Sequence, residues 1–266
     1  MPIQPYNTLL SEQSDGILTL TLHRPERRNA LTPEMREELI HALESASRST
    51  EILILTGSGP AFCSGLDLSA LERLASSSPA EQEADARRIA HLFRTLYTFP
   101  APTIAAVNGA AIAGGTGLAT LCDFTLAVPE DKFGYTEVRI GFIPAIVSVF
   151  LGIQIGQKQA KNLLLSGRLF DTHQAHALGL VDEIVDSANL LPRAYALAQE
   201  LLANSPAAMR HTKQLFLAQS LSILDCGIED AIAANAQARL HPDFHEGIRA
   251  FLEKRKPMWQ RATPQP

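Results

Sequence analysis

The chain has 266 residues, 46% hydrophobic and 19% charged, a globular composition that argues against disorder. Its formal net charge of −5 gives no general pull toward nucleic acid or anionic lipid. Three widely separated cysteines, Cys63, Cys122 and Cys226, without CxxC or Cys/His ligand spacing, support neither a disulfide framework nor a metal site.

Met1-Pro2-Ile3-Gln4-Pro5 lacks a basic stretch followed by an apolar run, so no signal peptide is expected. Gly16 to Leu22 alternates apolar and polar residues and reads as a strand. A helix follows, with Thr32 as its cap, Pro33 at the first position, and Met35, Leu39 and Leu43 on the buried face. Glu37 and Glu38 are expected to face outward. Ile52 to Leu55 reads as a fully buried strand. The loop Ser76-Ser77-Ser78-Pro79 precedes a helix carrying Ile89, Leu92, Phe93 and Leu96, which Pro100 and Pro102 end.

Strands are expected at 103–107 and 123–128, joined by a glycine-rich crossover. The stretch from Thr103 to Leu121 is interrupted by Asn108 and four glycines, so no membrane span is expected and the cytoplasm is the default. Asp171-Thr172-His173-Gln174 resembles a capping box, Gly179 suits a helix end, and Leu180 to Val185 alternates like a short strand. Beyond Asn204-Ser205-Pro206 three helices are expected, over 207–222, 228–240 and 244–254. This divides the chain into an α/β core over 1–203 and a helical region over 204–266. Strands alternating with helices predict parallel pairing and right-handed crossovers.

Two glycine-rich turns follow two of the buried strands. One is Pro60-Ala61-Phe62-Cys63-Ser64-Gly65-Leu66-Asp67-Leu68; the other is Asn108-Gly109-Ala110-Ala111-Ile112-Ala113-Gly114-Gly115-Thr116-Gly117. Free backbone amides at such turns, aimed at one point, stabilise a developing oxyanion. A third segment, Phe133-Gly134-Tyr135-Thr136-Glu137-Val138-Arg139-Ile140-Gly141-Phe142-Ile143-Pro144, sets one carboxylate among apolar neighbours, where a raised pKa suits acid–base work.

These segments, in this order, resemble the enoyl-CoA hydratase/isomerase (crotonase) family. Ser166-Gly167-Arg168-Leu169 with Ala175 to Asp182, and Glu246-Gly247-Ile248-Arg249-Ala250-Phe251-Leu252-Glu253-Lys254-Arg255-Lys256-Pro257, extend the resemblance to nearly the whole chain. It implies a spiral of ββα units with a C-terminal helical trimerisation region. It further implies an acyl-CoA thioester substrate, no cofactor beyond the CoA of that substrate, no metal, no nucleic-acid partner, and a homotrimer or a hexamer of two trimers. Position by position, the oxyanion amides fall on Ser64 and Gly114. Gly65, Leu66 and Asp67 form the loop against the thioester and pantetheine, and Arg28 and Ala30 lie along the CoA channel. Phe251 and Lys254 match residues that reach a neighbouring subunit's CoA.

Family hydratases place one glutamate three residues after the oxyanion glycine, where this chain has Gly117, and a second in the later loop, where it has Glu137. The resemblance is therefore to a single-glutamate bacterial subgroup usually labelled as hydratases. Hydration of a 2-enoyl-CoA is the preferred reading, and double-bond migration by an isomerase is the alternative. A non-catalytic CoA- or RNA-binding relative is the alternative outside catalysis, against which the retained Glu137 speaks. Asp67 is read equally as a loop brace or helix cap, Cys63 as a packing residue, and Lys254-Arg255-Lys256 equally as a solvated run. Leu71, Leu74, Phe93 and Phe142 are candidate pocket walls. A P-loop is excluded because Gly115 stands where its lysine belongs, and a dinucleotide fingerprint because Thr120 stands where a small residue is needed.

Overall fold

The structure is a computed structural model that describes residues 6–75 and 77–259. Met1–Pro5, Ser76 of the expected serine loop, and residues 260–266 of the expected helical region lie outside them.

The described chain opens on an antiparallel hairpin of β1 (Leu9–Ser14) and β2 (Ile17–Leu22). Its turn residues Asp15 and Gly16 have φ of 51° and 81°, the left-handed conformations of a tight hairpin turn. Only Leu9 of the six residues of β1 is buried, so no alternation marks this strand in the sequence. In α1 (Pro33–Ala46), Thr32 Oγ1 accepts the Met35 amide at 3.2 Å, and Met35, Leu39 and Leu43 are buried as their spacing predicts. Glu38 departs from expectation. It is half-buried and accepts the Asn7 and Thr8 amides at 2.7 and 2.9 Å, anchoring the start of β1.

The next elements repeat one plan. β3 (Ile52–Gly57) is followed by β4 (Ala61–Cys63) and the helices α2 (Leu68–Ala75) and α3 (Pro79–Tyr97). Then come β5 (Thr103–Val107), β6 (Ala110–Ile112) and α4 (Gly114–Thr120), and after them β7 (Phe124–Ala127), β8 (Lys132–Gly134) and α5 (Ala145–Ser166), which is interrupted at Gly156. β9 (Phe170–Asp171), α6 (Thr172–Ala177), β10 (Glu183–Ile184) and α7 (Leu190–Leu202) close the two sheets. One sheet has the order β1-β2-β3-β5-β7-β10 and the other β4-β6-β8-β9. Each turn of the plan gives one strand to each sheet before a helix carries the chain back, which is the expected ββα spiral. The pairs β2–β3, β3–β5, β5–β7, β4–β6 and β6–β8 are parallel.

A parallel sheet must be covered on both faces, and β3 shows how. Leu53 and Leu55 join one core with Met35, Phe93 and Leu118, while Ile52 and Ile54 join another with Leu190, Ala194 and Leu197 of α7. The expected capping box is present, with Asp171 Oδ1 accepting the Gln174 amide at 2.9 Å. The strand expected over 180–185 is only β10.

The C-terminal part departs further from expectation. The first two expected helices are one, α8 (Pro206–Ala238), followed by α9 (Pro242–Leu252). Gly227, which falls between those two expected helices, is helical; a Cβ there would lie 2.9 Å from Val149 Cγ1 of α5. Close approach of two helices sets that residue, not a chain turn.

One side chain fixes the segment between β2 and α1. Asn29 is fully buried. Its Nδ2 donates to the carbonyls of Ser58, Ala61 and Phe62 at 2.9, 2.8 and 3.1 Å, and its Oδ1 accepts the Arg24 amide at 2.8 Å. Asn29→Ala should orphan these groups and lower stability by about 2–4 kcal/mol. Urea unfolding reads this as a reduced midpoint; an unchanged midpoint would show that the loop is held by other contacts.

Candidate active site

β4, β6 and β8 are parallel neighbours, so the loops leaving their C-terminal ends meet on one side, the usual place for ligands in open α/β sheets. Those loops are the three chemistry-bearing segments. They enclose a cavity of about 130 Å³ whose walls include Ser64, Leu66, Ala113, Thr136, Glu137 and Phe142.

The backbone corrects one sequence assignment. The Ser64 amide donates to Arg28 O at 3.0 Å, so it is not free for a substrate oxygen. Two residues on, Leu31 pairs with Leu66 in a parallel bridge, made by Leu31 N to Gly65 O at 2.8 Å and Asp67 N to Leu31 O at 3.1 Å. In such a bridge the amide of the middle residue points to the opposite side. Leu66 N has no acceptor among the described residues, and Leu66 lines the cavity. Leu66, assigned above only to the pantetheine loop, thus replaces Ser64 as the free amide. Gly65 allows this, with a φ of +83° and its Cα against Ile112 O, where a Cβ would lie 2.8 Å away.

The second candidate amide is that of Gly114. Gly114 opens α4, where the first amides of a helix have no partner within it. Ala113 before it holds φ 52° and ψ −122°, a strained conformation for a residue with a Cβ, and its own amide donates to Gly134 O at 2.6 Å. Gly65 and Gly114 adjoin, since a Cβ on Gly65 would come within 3.3 Å of Gly114 N.

Glu137 begins a 3₁₀ turn, Glu137–Ile140. Its Oε2 is buried without a hydrogen-bond partner among the described residues. Burial raises its pKa to about 7, offset in small part by its own backbone amide. The residue as a whole is only partly enclosed, because it faces the cavity. Tyr135, two residues earlier, is fully buried and shares a hydrogen bond of 3.1 Å with Thr120 Oγ1.

At Gly117 there is no room for an acid. A Cβ would lie 2.5 Å from Phe93 Cε1 and 2.7 Å from Val147 Cγ1. Phe93 in turn packs on Phe150, ring centroids 6.5 Å apart. Phe93 is therefore the plug behind Gly117, whereas Leu71 and Phe142 line the Glu137 cavity and Leu74 lines a neighbouring one.

The remaining candidates are placed as follows. Arg28 is exposed, with left-handed φ of 50°, and Ala30 is buried, its carbonyl accepting Arg24 Nη1 at 2.8 Å. Asp67 both caps and braces: Oδ1 accepts the Ala70 amide at 3.0 Å and Oδ2 lies 3.5 Å from Arg24 Nη1. Cys63 is a packing residue, its thiol donating to Asn29 O at 3.2 Å and its pKa pushed up to about 12 by burial. Phe251 lines the cavity of its own chain, because α9 packs Phe244 and Ile248 against Leu71 and Phe142. Lys254 and Lys256 are exposed, while Arg255 between them is clamped on Glu246 at 2.6 and 2.9 Å. Among the described residues no helix is long and apolar enough to cross a membrane, and no group of three or more His, Cys, Asp or Glu is placed to hold a metal.

The Enoyl-CoA hydratase/isomerase family model matches residues 12–262. The chain belongs to that family. It is 46% identical to a "Putative enoyl-CoA hydratase" of Thermus thermophilus, over 94% of this chain and 99% of the relative. It is 32% identical to the "1,2-epoxyphenylacetyl-CoA isomerase" of Escherichia coli, over 94% and 97%. An enoyl-CoA hydratase/isomerase structure from Xanthobacter autotrophicus superposes with a TM-score of 0.85 at 29% identity, covering 94% of this chain and 97% of that one.

Within this family Gly117→Glu is the substitution that would supply a second acid. Overpacking against Phe93 and Val147 should lower stability by about 1–3 kcal/mol, and Phe93→Ala in the same chain should recover part of the loss. Thermal unfolding of the two variants checks this. A single variant as stable as the parent would show that the space is open.

Proposed function

We propose that this chain is an enoyl-CoA hydratase that adds water across the double bond of a 2-enoyl-CoA. The observation that carries the reading is one cavity holding a single unpartnered carboxylate beside loops with two uncommitted amides. Leu66 N and Gly114 N receive the thioester oxygen and stabilise the enolate-like charge that develops on it. Glu137 takes a proton from water as the water oxygen bonds to Cβ, then delivers that proton to Cα. The product gains one H and one OH, and Glu137 returns to its carboxylate form.

The second reading, isomerisation, is favoured by one observation: Phe93 and Val147 fill the place of a second acid. A lone carboxylate suffices to move a proton between Cα and Cγ. A panel of 2-enoyl-CoA and 3-enoyl-CoA substrates separates the two. Hydration requires loss of the double bond from the former. Migration of the double bond in the latter, with no hydration, would replace the hydratase reading. The proposal includes assembly as a trimer or hexamer, supported by Leu215, Phe216 and Ile223, which stand 66%, 69% and 69% exposed on α8.

Glu137→Gln should reduce kcat by about 10²–10⁴-fold. Because Glu137 must be ionised to accept a proton, kcat/KM of the parent should rise to a plateau above pH about 7. Stability should move the other way. The folded-state pKa lies above the ordinary 4.5, so the folded chain holds this proton more tightly than the unfolded chain. That contribution is complete below about 4.5 and is lost as pH rises through about 7. Glu137→Gln should therefore raise Tm relative to the parent at alkaline pH, with the gain vanishing in acid. An equal Tm difference at both ends would show that burial does not control this group.

Gly114→Pro deletes one oxyanion donor and should lower kcat by about 10²–10³-fold. Circular dichroism must show the fold retained. A folded variant with the parent's kcat removes Gly114 from the mechanism.

A further inference from the structure

Glu137 is placed by its backbone alone. Its Oε2 has no partner, and no other residue's side chain is hydrogen-bonded to it among the described residues. Its position is therefore that of the turn it opens, Glu137–Ile140. That turn closes on itself through Arg139 N to Thr136 O at 2.9 Å and Phe142 N to Glu137 O at 3.1 Å. A single 3₁₀ turn does not fix its own place in a fold, so what it rests on matters. On one side is the end of α5, where a Cβ on Gly167 would lie 2.7 Å from Val138 Cγ2, a side chain that can yield.

The other side is α9, and there backbone meets backbone. A Cβ on Gly247 would lie 2.1 Å from Ile140 O and 2.2 Å from its carbonyl carbon, and a Cβ on Gly141 would lie 2.2 Å from Asp243 O. The two glycines belong to opposite partners and let the turn and the helix touch twice. Gly141 has a φ of +65° that favours glycine in its own right. Gly247 has no such need. It sits inside α9, where glycine is less favourable than alanine, and close approach to Ile140 is what sets the residue there.

α9 is in turn anchored to the core. Arg239, fully buried just before it, meets Asp85 of α3 at 2.9 Å, and Asp85 also holds Arg36 of α1. Phe244 and Ile248, both buried, pack the helix against Leu71 and Phe142. The surface on which the turn rests is therefore fixed.

We propose that Gly247 is a positioning residue for Glu137: by letting α9 lie directly on the Ile140 carbonyl, it sets where the turn presents the carboxylate to the substrate. The inference rests on the catalytic role of Glu137 given above. It makes α9, which the sequence places in an oligomerisation region, a working part of the reaction site of its own subunit.

The test is a double-mutant cycle on the full-length protein, read as kcat with whichever substrate of the 2-enoyl-CoA and 3-enoyl-CoA panel the parent turns over. In Gly247→Ala the new methyl meets backbone that cannot rotate away. The turn and the helix must then part by roughly 1 Å, and kcat should fall about 10- to 100-fold. Glu137→Gln removes the group that Gly247 positions, so adding Gly247→Ala to it should change kcat by no more than about twofold. The midpoint of the kcat/KM pH profile of Gly247→Ala should also fall below the parent's value of about 7, because parting the two segments admits water to the carboxylate. Three results overturn the inference and leave Glu137 catalytic: a folded Gly247→Ala protein with the parent's kcat, a loss that recurs in full in the Glu137→Gln background, or a loss with the midpoint unmoved. Parental activity in Glu137→Gln, or no turnover of any panel substrate by the parent, overturns both readings. Should Gly247→Ala fail to fold, Phe244→Leu, which loosens α9 with less strain, carries the same cycle and is read by the same outcomes.

Discussion

The site depends on how Asn29 ties the segment after β2 to the start of the second sheet. Its amide bridges carbonyls on both sides of the β3–β4 turn, and its own carbonyl receives the Cys63 thiol. With that segment fixed, Leu31 lies alongside Gly65 to Asp67 and takes both of the inward hydrogen bonds of the loop. The Leu66 amide is then forced outward, toward the cavity. An oxyanion donor must be held before the reaction, since reorganisation during it would cost most of the benefit. Here a buried side-chain amide two residues from Leu31 supplies that rigidity, and it touches no part of the cavity itself.

The absence of an acid at Gly117 changes the electrostatics around Glu137. A second carboxylate nearby would raise the pKa of one member of the pair through like-charge repulsion. In this chain Phe93 and Val147 occupy that volume, and desolvation performs the same task. Glu137 is left poised near neutrality by apolar surroundings alone. A group in that condition exchanges a proton readily in both directions, which suits a mechanism where one residue is base and then acid.

Much of this was legible in the sequence. The glycine-rich turns, the order of the motifs and the buried strands led to a ββα spiral, in which the loops carrying Gly114 and Glu137 leave neighbouring strands of one sheet. What escaped was decided by hydrogen bonds between segments far apart in the chain. Whether Ser64 or Leu66 offers a free amide depends on Arg28 O and Leu31, and neither partner can be read from the loop's own residues. Gly227 looks like a helix break until Val149 is seen against it. That Phe251 lines the Glu137 cavity follows from what α9 covers, which its motif does not say. Arg36 had one usable signal: it follows Met35 on a helix face that is otherwise buried. A charged residue at that register needs a partner, and Asp85 lies forty-nine positions away.

Leu66 connects the two halves of the site. Its amide faces the thioester oxygen in the proposed complex, while its side chain forms part of the wall shared with the neighbouring cavity lined by Leu74. In that complex the donor to the thioester oxygen and part of the cavity wall belong to one residue. Contacts of the acyl chain with that wall then help to orient the reacting centre. A site with two acids can divide the positioning of water and the protonation of Cα between them. With one acid, the fit of the substrate against the cavity walls must carry more of that burden.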